Sequence, residues 1–286
     1  MADRIRVVAS DFDGTILKDG AQAVDSVYFP LIRSLKEKGI SFIAASGRQY
    51  GNLRRLLAPV ADEISYICEN GALVAQGSRV LYQNEIERGL ALALIADMEK
   101  TPGAEILVSC ADTSCVAPAD PGFTDYMRNV VKNTVTVFDS LEQVKEPMIK
   151  IALYWPDGIP QDQARRFQEK YGGRLNVADG GGGWLDFTNK GVDKGNALRY
   201  LSGVQDFSLD EVLSLGDSGN DIGMLRVAGF SYAMSTAKDE VKACADRECR
   251  LVSEVLKELL SHDGQICPEK REQKALDMEN KKQKSL

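Results

Sequence analysis

The apolar run RIRVVAS, residues 4–10, ends in DFDGT, Asp11 to Thr15. Two carboxylates therefore stand two positions apart where a buried strand stops, and this limits the fold more than any other stretch. Like charges that close repel, so something of opposite sign has to compensate them. Open parallel sheets place their ligands just beyond the carboxyl ends of their strands. In such a sheet Phe12 turns toward the core while Asp11 and Asp13 face the crevice. Gly14 permits the tight turn, and the turn's exposed N–H groups can hold an anion. A capped turn without a ligand is the plain alternative.

The remainder of the chain supplies that sheet. Ser26 to Lys38 carries the apolar spacing of an amphipathic helix (Val27, Leu31, Leu35) and stops at Gly39. ISFIAA is a second buried strand, followed by SGR, a short helix over Asn52 to Leu57, and the runs YICE and LVA around an Asn70-Gly71 turn that suits a hairpin. From about Asn84 helices alternate with several short strands, which predicts a second α/β domain with a mostly antiparallel sheet, closed by a turn at Gly180 to Gly183. After Asp193 the first pattern resumes: a helix from Lys194, the strand EVLSLG, a helix beginning near Asp221, the strand FSYAM and a helix over Val252 to Leu260.

The expected fold class is α/β, a Rossmann-like doubly wound parallel-sheet core with an inserted α/β cap domain. The core is expected over residues 1–83 and 188–267, the cap over 84–187, and a charged tail, frayed or disordered, over 268–286.

Composition removes several functions. The 286 residues are 44% apolar and 27% charged, the usage of soluble globular domains. No run is long and apolar enough to span a membrane, and the first residues lack the features of a secretory signal, so a cytoplasmic location is expected. A net charge of −7 without a basic stripe before the tail argues against nucleic acid. No protein partner is implied. Six cysteines, at 68, 110, 115, 244, 249 and 267, fit reduced thiols better than zinc spacings. With one histidine, His262, acid–base work falls to carboxylates or lysines.

Three further motifs fall at the ends of predicted strands or the start of a helix. Ser46, Gly47 and Arg48 supply a hydroxyl, a close-approach amide and a guanidinium, groups that suit phosphate oxygens. Lys194 opens a helix in GVDKGNAL, where the macrodipole disfavours a cation unless an anion is near. GDSGND brings Asp217, Asn220 and Asp221 beyond the strand EVLSL and lacks the ligand ladder of an EF-hand. Each has an ordinary reading: a helix entry, a solvated lysine, a Ca²⁺ loop. Together they converge on one sheet edge, and an oxygen-only set of Asp11, Asp13 and Asp217 beside phosphate-binding groups favours Mg²⁺.

The ordered set DFDGT, SGR, DKG and GDSGND resembles the four motifs of the haloacid dehalogenase superfamily, in particular the Cof-type sugar-phosphatase-like hydrolases with a large α/β cap. The likeness covers nearly the whole chain. It implies that Asp11 is the nucleophile and Asp13 the general acid and base, since dehalogenases lack this second aspartate. It further implies that Asp11, the Asp13 carbonyl and Asp217 hold Mg²⁺, with Asp221 in support. Ser46 and Lys194 would bind the transferring phosphoryl group, Lys194 also restraining Asp11; Asn220 would touch phosphate, as would the turn residues Phe12 and Thr15. Gly47, Arg48, Asn70 and Gly71 would line the leaving-group side. The implied reaction is Mg²⁺-dependent hydrolysis of small phosphorylated metabolites, sugar phosphates foremost, through an aspartyl-phosphate. A phosphomutase using the same intermediate and a catalytically idle ligand-binding regulator are the alternatives.

Overall fold

The computed structural model describes residues 4–17, 21, 23–118 and 120–266; the expected tail lies outside them. In chain order the strands are β1 (Val7–Asp11), β2 (Ser41–Ala45), β3 (Ser65–Cys68), β4 (Leu73–Gln76), β5 (Arg79–Gln83), β6 (Glu105–Ser109), β7 (Ser114–Val116), β8 (Val135–Val137), β9 (Lys150–Tyr154), β10 (Leu175–Gly181), β11 (Trp184–Asn189), β12 (Val212–Gly216), β13 (Phe230–Met234) and β14 (Arg247–Cys249). The chain forms two compact units. One takes the residues up to Ala45, Asp62–Ser65 and those from Leu198 on; the other takes Ser46–Ala61 and Tyr66–Ala197.

In the first unit the strands stand in the order β14-β13-β12-β1-β2, and every neighbouring pair is parallel. All five residues of β1, β12 and β13 are buried, as strands covered on both faces must be. The helix Tyr28–Glu37 buries Tyr28, Ile32 and Leu35, a 3.6-residue stripe, and packs with Val252–Ser261, which buries Val252, Val255, Leu256 and Leu259. From β1 the chain moves to β2 on one side, whereas β12 leads to β13 on the other. The carboxyl ends of β1 and β12 therefore flank the switch point of the sheet, where a crevice opens between diverging connections.

The second unit contains β3, β4 and β5 and a six-stranded sheet in the order β10-β11-β9-β6-β7-β8. That sheet is antiparallel apart from β7 and β8, which run parallel. Its alternation separates two faces. Val108, Ile151, Leu153, Leu185 and Phe187 form a core with the helices Arg88–Met98 and Gln161–Tyr171. Leu107, Val116 and Ala152 face the other way, against Phe123 and Met127. The Gly-rich turn at 180–183 joins β10 to β11, and Gly181, Gly182 and Gly183 all take positive φ, so its glycines serve a two-residue hairpin. β3 and β4 are neighbours in their sheet, joined through the Asn70-Gly71 turn, a single 3-10 turn, and β4 and β5 add an antiparallel hairpin near residue 77.

Candidate active site

At the switch point of the first unit, Asp11, Asp217 and Asp221 each offer a carboxylate oxygen, and these atoms lie within 4.8 Å of one another. Asp11 ends β1; Asp217 and Asp221 follow β12, so adjacent parallel strands deliver the three groups to one edge. Asp221 is fully buried, and its Oδ2 accepts from the backbone N–H groups of Asp217 and Ser218, both at 3.0 Å. Asp217 accepts from the hydroxyls of Thr15 (3.2 Å) and Ser218 (3.1 Å). Two glycines make the approach close enough. A Cβ on Gly14 would fall 2.3 Å from Asp217 Oδ2, at a φ of +85° that side chains rarely adopt, and a Cβ on Gly216 would fall 2.6 Å from that of Asp221.

The turn after β1 is held by the Phe12 carbonyl, which accepts from Leu17 N–H at 2.7 Å, and by the Leu17 carbonyl, which accepts from Gly14 N–H at 2.8 Å. The Phe12 side chain is fully buried, so its N–H is what it can offer a ligand; Asp13 and Asn220 are exposed. The carboxylate set fits a hard divalent cation. Its donors are all oxygen, and like charges this close repel by roughly 3 kcal/mol per pair at an effective dielectric of about 20.

In the second unit the remaining motifs meet through their backbones. Buried Ser46 accepts from Arg48 N–H at its hydroxyl (3.1 Å), its carbonyl accepts from Asn70 N–H (3.1 Å), and the Arg48 carbonyl accepts from Glu69 N–H (3.2 Å). The SGR and ENG turns are thus locked together, and a Cβ on Gly47 would press on Asn70 Oδ1 at 3.0 Å. Gly71, at φ +105°, lies so close to the Asp193 carbonyl that a Cβ would sit 2.4 Å from it. Asp193 caps the helix Lys194–Val204, accepting from Asn196 N–H at 2.8 Å, and puts negative charge at its amino end. Lys194, the first residue of that helix, is fully buried.

The sequence pattern of the haloacid dehalogenase-like hydrolases matches residues 8–256. The chain belongs to this family. It is similar, at 29% identity over 84% of this chain and 89% of the relative, to the 5-amino-6-(5-phospho-D-ribitylamino)uracil phosphatase YbjI of Escherichia coli. Among solved structures, a protein from Eubacterium rectale shares 30% identity at a TM-score of 0.81, covering 89% of this chain and 99% of the other. The HAD subclass IIB sugar phosphatase BT4131 has the same fold, with a TM-score of 0.73 at 23% identity over 89% of this chain and 98% of its own. The Cof-type resemblance holds, and the chain is an HAD-type phosphatase.

The hydrolase also contains polar groups that reading by motif missed. Gln49 donates to Ser114 Oγ (3.2 Å) and accepts from Thr134 N–H (3.0 Å), while Asn52 donates to the Val131 carbonyl (2.5 Å); these bonds tie the helix Tyr50–Leu56 to the β7–β8 edge. Lys150, on β9, is buried and pairs with Glu69 Oε2 (2.6 Å) and Asp186 Oδ2 (3.4 Å). Burial alone would lower the Lys150 ammonium's pKa, but the two carboxylates outweigh it and hold the group charged. The available signal was a charge inside an apolar run: Lys150 in PMIKIALYW and Asp186 in WLDF.

Proposed function

We propose that this HAD-type phosphatase hydrolyses small phosphorylated metabolites, sugar and sugar-alcohol phosphates foremost, through an aspartyl-phosphate. The observation that carries the reading is the convergence of Asp11, Asp217 and Asp221 at the switch point. The named relatives support the substrate class: one acts on a phosphorylated ribityl compound, another is a sugar phosphatase. A core over 1–83 and 188–267 with a substrate-selecting cap over 84–187 is part of the proposal. A cytoplasmic location is part of it too: no helix among the described residues is long and apolar enough to cross a membrane, and the described cysteines are free thiols.

In the proposed reaction an Asp11 carboxylate oxygen attacks phosphorus in line and the ester P–O bond breaks, while Asp13 gives its proton to the departing alkoxide oxygen. Asp13, now a carboxylate, then takes a proton from a water whose oxygen attacks the same phosphorus. The P–O bond to Asp11 breaks, inorganic phosphate leaves, and both aspartates return to their starting states. Asp11, the Asp13 carbonyl and Asp217, supported by Asp221, would hold Mg²⁺, which when bound neutralises carboxylate and phosphoryl charge. Ser46, Lys194 and Asn220 would bind the phosphoryl oxygens, Lys194 as the buried counter-charge. Phe12 N–H and the Thr15 turn would add backbone donors, and Gly47, Arg48, Asn70 and Gly71 would face the leaving group.

Phosphate release from a panel of sugar, nucleotide and aryl phosphates, with Mg²⁺ or EDTA, tests the reading. Metal-dependent release that Asp11→Asn abolishes supports it. Isomerised sugar phosphate without free phosphate would put a phosphomutase in its place.

A further inference from the structure

The Lys150 cluster has more acceptors than its donors can serve. Lys150 Nζ brings three N–H bonds and reaches Glu69 Oε2, Asp186 Oδ2 and, at 3.4 Å, the Gly47 carbonyl. Glu69 and Asp186 bring four carboxylate oxygens, and among the described residues no other side chain donates to either. Two buried carboxylates thus share one ammonium. At the next cross-strand position Ser109 stands directly opposite Lys150, so the two side chains share a face of the sheet. The Ser109 hydroxyl is 1% exposed and meets no hydrogen-bond partner among the described residues.

The backbone supports a special purpose. Glu69, Asn70 and Gly71 have φ of 49°, 57° and 105°, three consecutive residues in the left-handed region, two of them not glycine. Such strain persists where surrounding contacts hold it, and it gathers at ligand sites. Here the backbone bonds of Glu69 and Asn70 to the SGR turn hold it, joined by the Glu69–Lys150 pair and by Lys150 at the carbonyl of Gly47.

We propose that Asp186, Glu69, Lys150 and Ser109 form a subsite that reads the hydrogen-bond donors of the leaving group, the hydroxyls of a sugar or polyol phosphate. The inference rests on the phosphatase reading and on Gly47 and Asn70 facing the leaving group. Asp186, bound to Lys150 at the longer distance and less buried than Glu69, is the acceptor a substrate hydroxyl reaches more readily. Ser109 supplies a hydroxyl to the same ligand, and Lys150 positions Glu69 and the SGR turn.

The test compares kcat/KM for glucitol 6-phosphate, glucosamine 6-phosphate and p-nitrophenyl phosphate in the full chain, wild type against Asp186→Asn and Ser109→Ala. The aryl ester has no hydroxyl or amine donors, so the ratio of polyol to aryl kcat/KM cancels any general loss of folded enzyme. That ratio should fall about tenfold or more in Asp186→Asn and somewhat less in Ser109→Ala, carried mainly by KM. A larger fall for the amino sugar would mark a cationic leaving group; equal falls would mark hydroxyls. An unchanged ratio, whatever happens to the absolute rates, overturns the subsite. If wild type cleaves none of the three esters, the phosphatase reading fails separately. Calorimetric binding of glucitol 6-phosphate then decides the subsite: weaker binding in Asp186→Asn supports it, and equal affinity overturns it.

Discussion

The molecule buries carboxylates in two places and treats them differently. Asp11 is the last residue of β1 and Asp217 and Asp221 lie beyond β12, and Asp217 and Asp221 accept from hydroxyls and backbone N–H groups. Glu69 and Asp186 meet a lysine that opens an antiparallel strand. Loop ends at a switch point can be spaced to surround an ion from solution. A paired strand position fixes the direction of one side chain and suits a built-in counter-charge. The first cluster therefore fits a cation from solution and the second carries its own, which is a statement about chemistry as much as stability.

The largest effect should come from the first cluster. Asp11→Asn removes the proposed nucleophile with little change of shape, and kcat should drop by on the order of 10⁴-fold or more, measured as phosphate release under saturating substrate. The fold should survive, since an amide in that place relieves repulsion. A variant retaining wild-type turnover would break the contrast at its stronger end. Lys150→Met acts in the opposite sense. It strands two buried carboxylates and should cost about 3–5 kcal/mol in denaturant unfolding, comparable with Phe187→Ala on the apolar face of the same sheet, also about 3–5 kcal/mol. Near-equal stability of Lys150→Met and wild type would show that the lysine is not the counter-charge the geometry implies.

The first cluster was legible in the sequence and the second was not, for a physical reason. The DFDGT and GDSGND motifs announce themselves because each is local: a strand, its end, and acidic residues within a few positions. The parallel core was legible as well, since strands buried on both faces read as continuous apolar runs. Lys150, Glu69 and Asp186 come from three distant segments, and only pairing of β9 with β11 and the ENG turn brings them together. β5 was overlooked because RVLYQ has exposed and half-buried residues and therefore no core pattern. β14, three residues long and half exposed, gave no signal either.

A smaller effect sharpens the idea that one cluster waits for a cation. Mg²⁺ at about 100 times its dissociation constant should stabilise the wild-type protein by roughly 2.7 kcal/mol, read as a rise in Tm. Asp217→Asn should lose most of that rise. In EDTA it should be as stable as wild type, because removing one of three crowded charges offsets the lost hydroxyl contacts. A Mg²⁺ response unchanged in Asp217→Asn would remove that residue from the proposed metal set.

The smallest effect concerns an acid outside both clusters and tests whether burial sets the scale. Asp97, on the helix Arg88–Met98, accepts from the Lys170 ammonium and from the Tyr171 hydroxyl at 2.6 Å, and these bonds hold its carboxyl below the usual range against the opposing pull of burial. A folded-state pKa below the unfolded value means that the contribution is complete above the unfolded carboxylate pKa of about 3.9 and fades as pH falls through the folded value. Lys170 is more than half exposed, at 56%, so solvent screens the pair. Asp97→Asn should cost about 1 kcal/mol or less near neutral pH. The gap between variant and wild type in denaturant unfolding should close as pH is lowered from about 5 toward 2. A gap that stayed constant across that range would mean packing of Asp97 rather than its charge carries the effect. A gap as large as that of Lys150→Met would mean that burial is not what separates the acids of this protein.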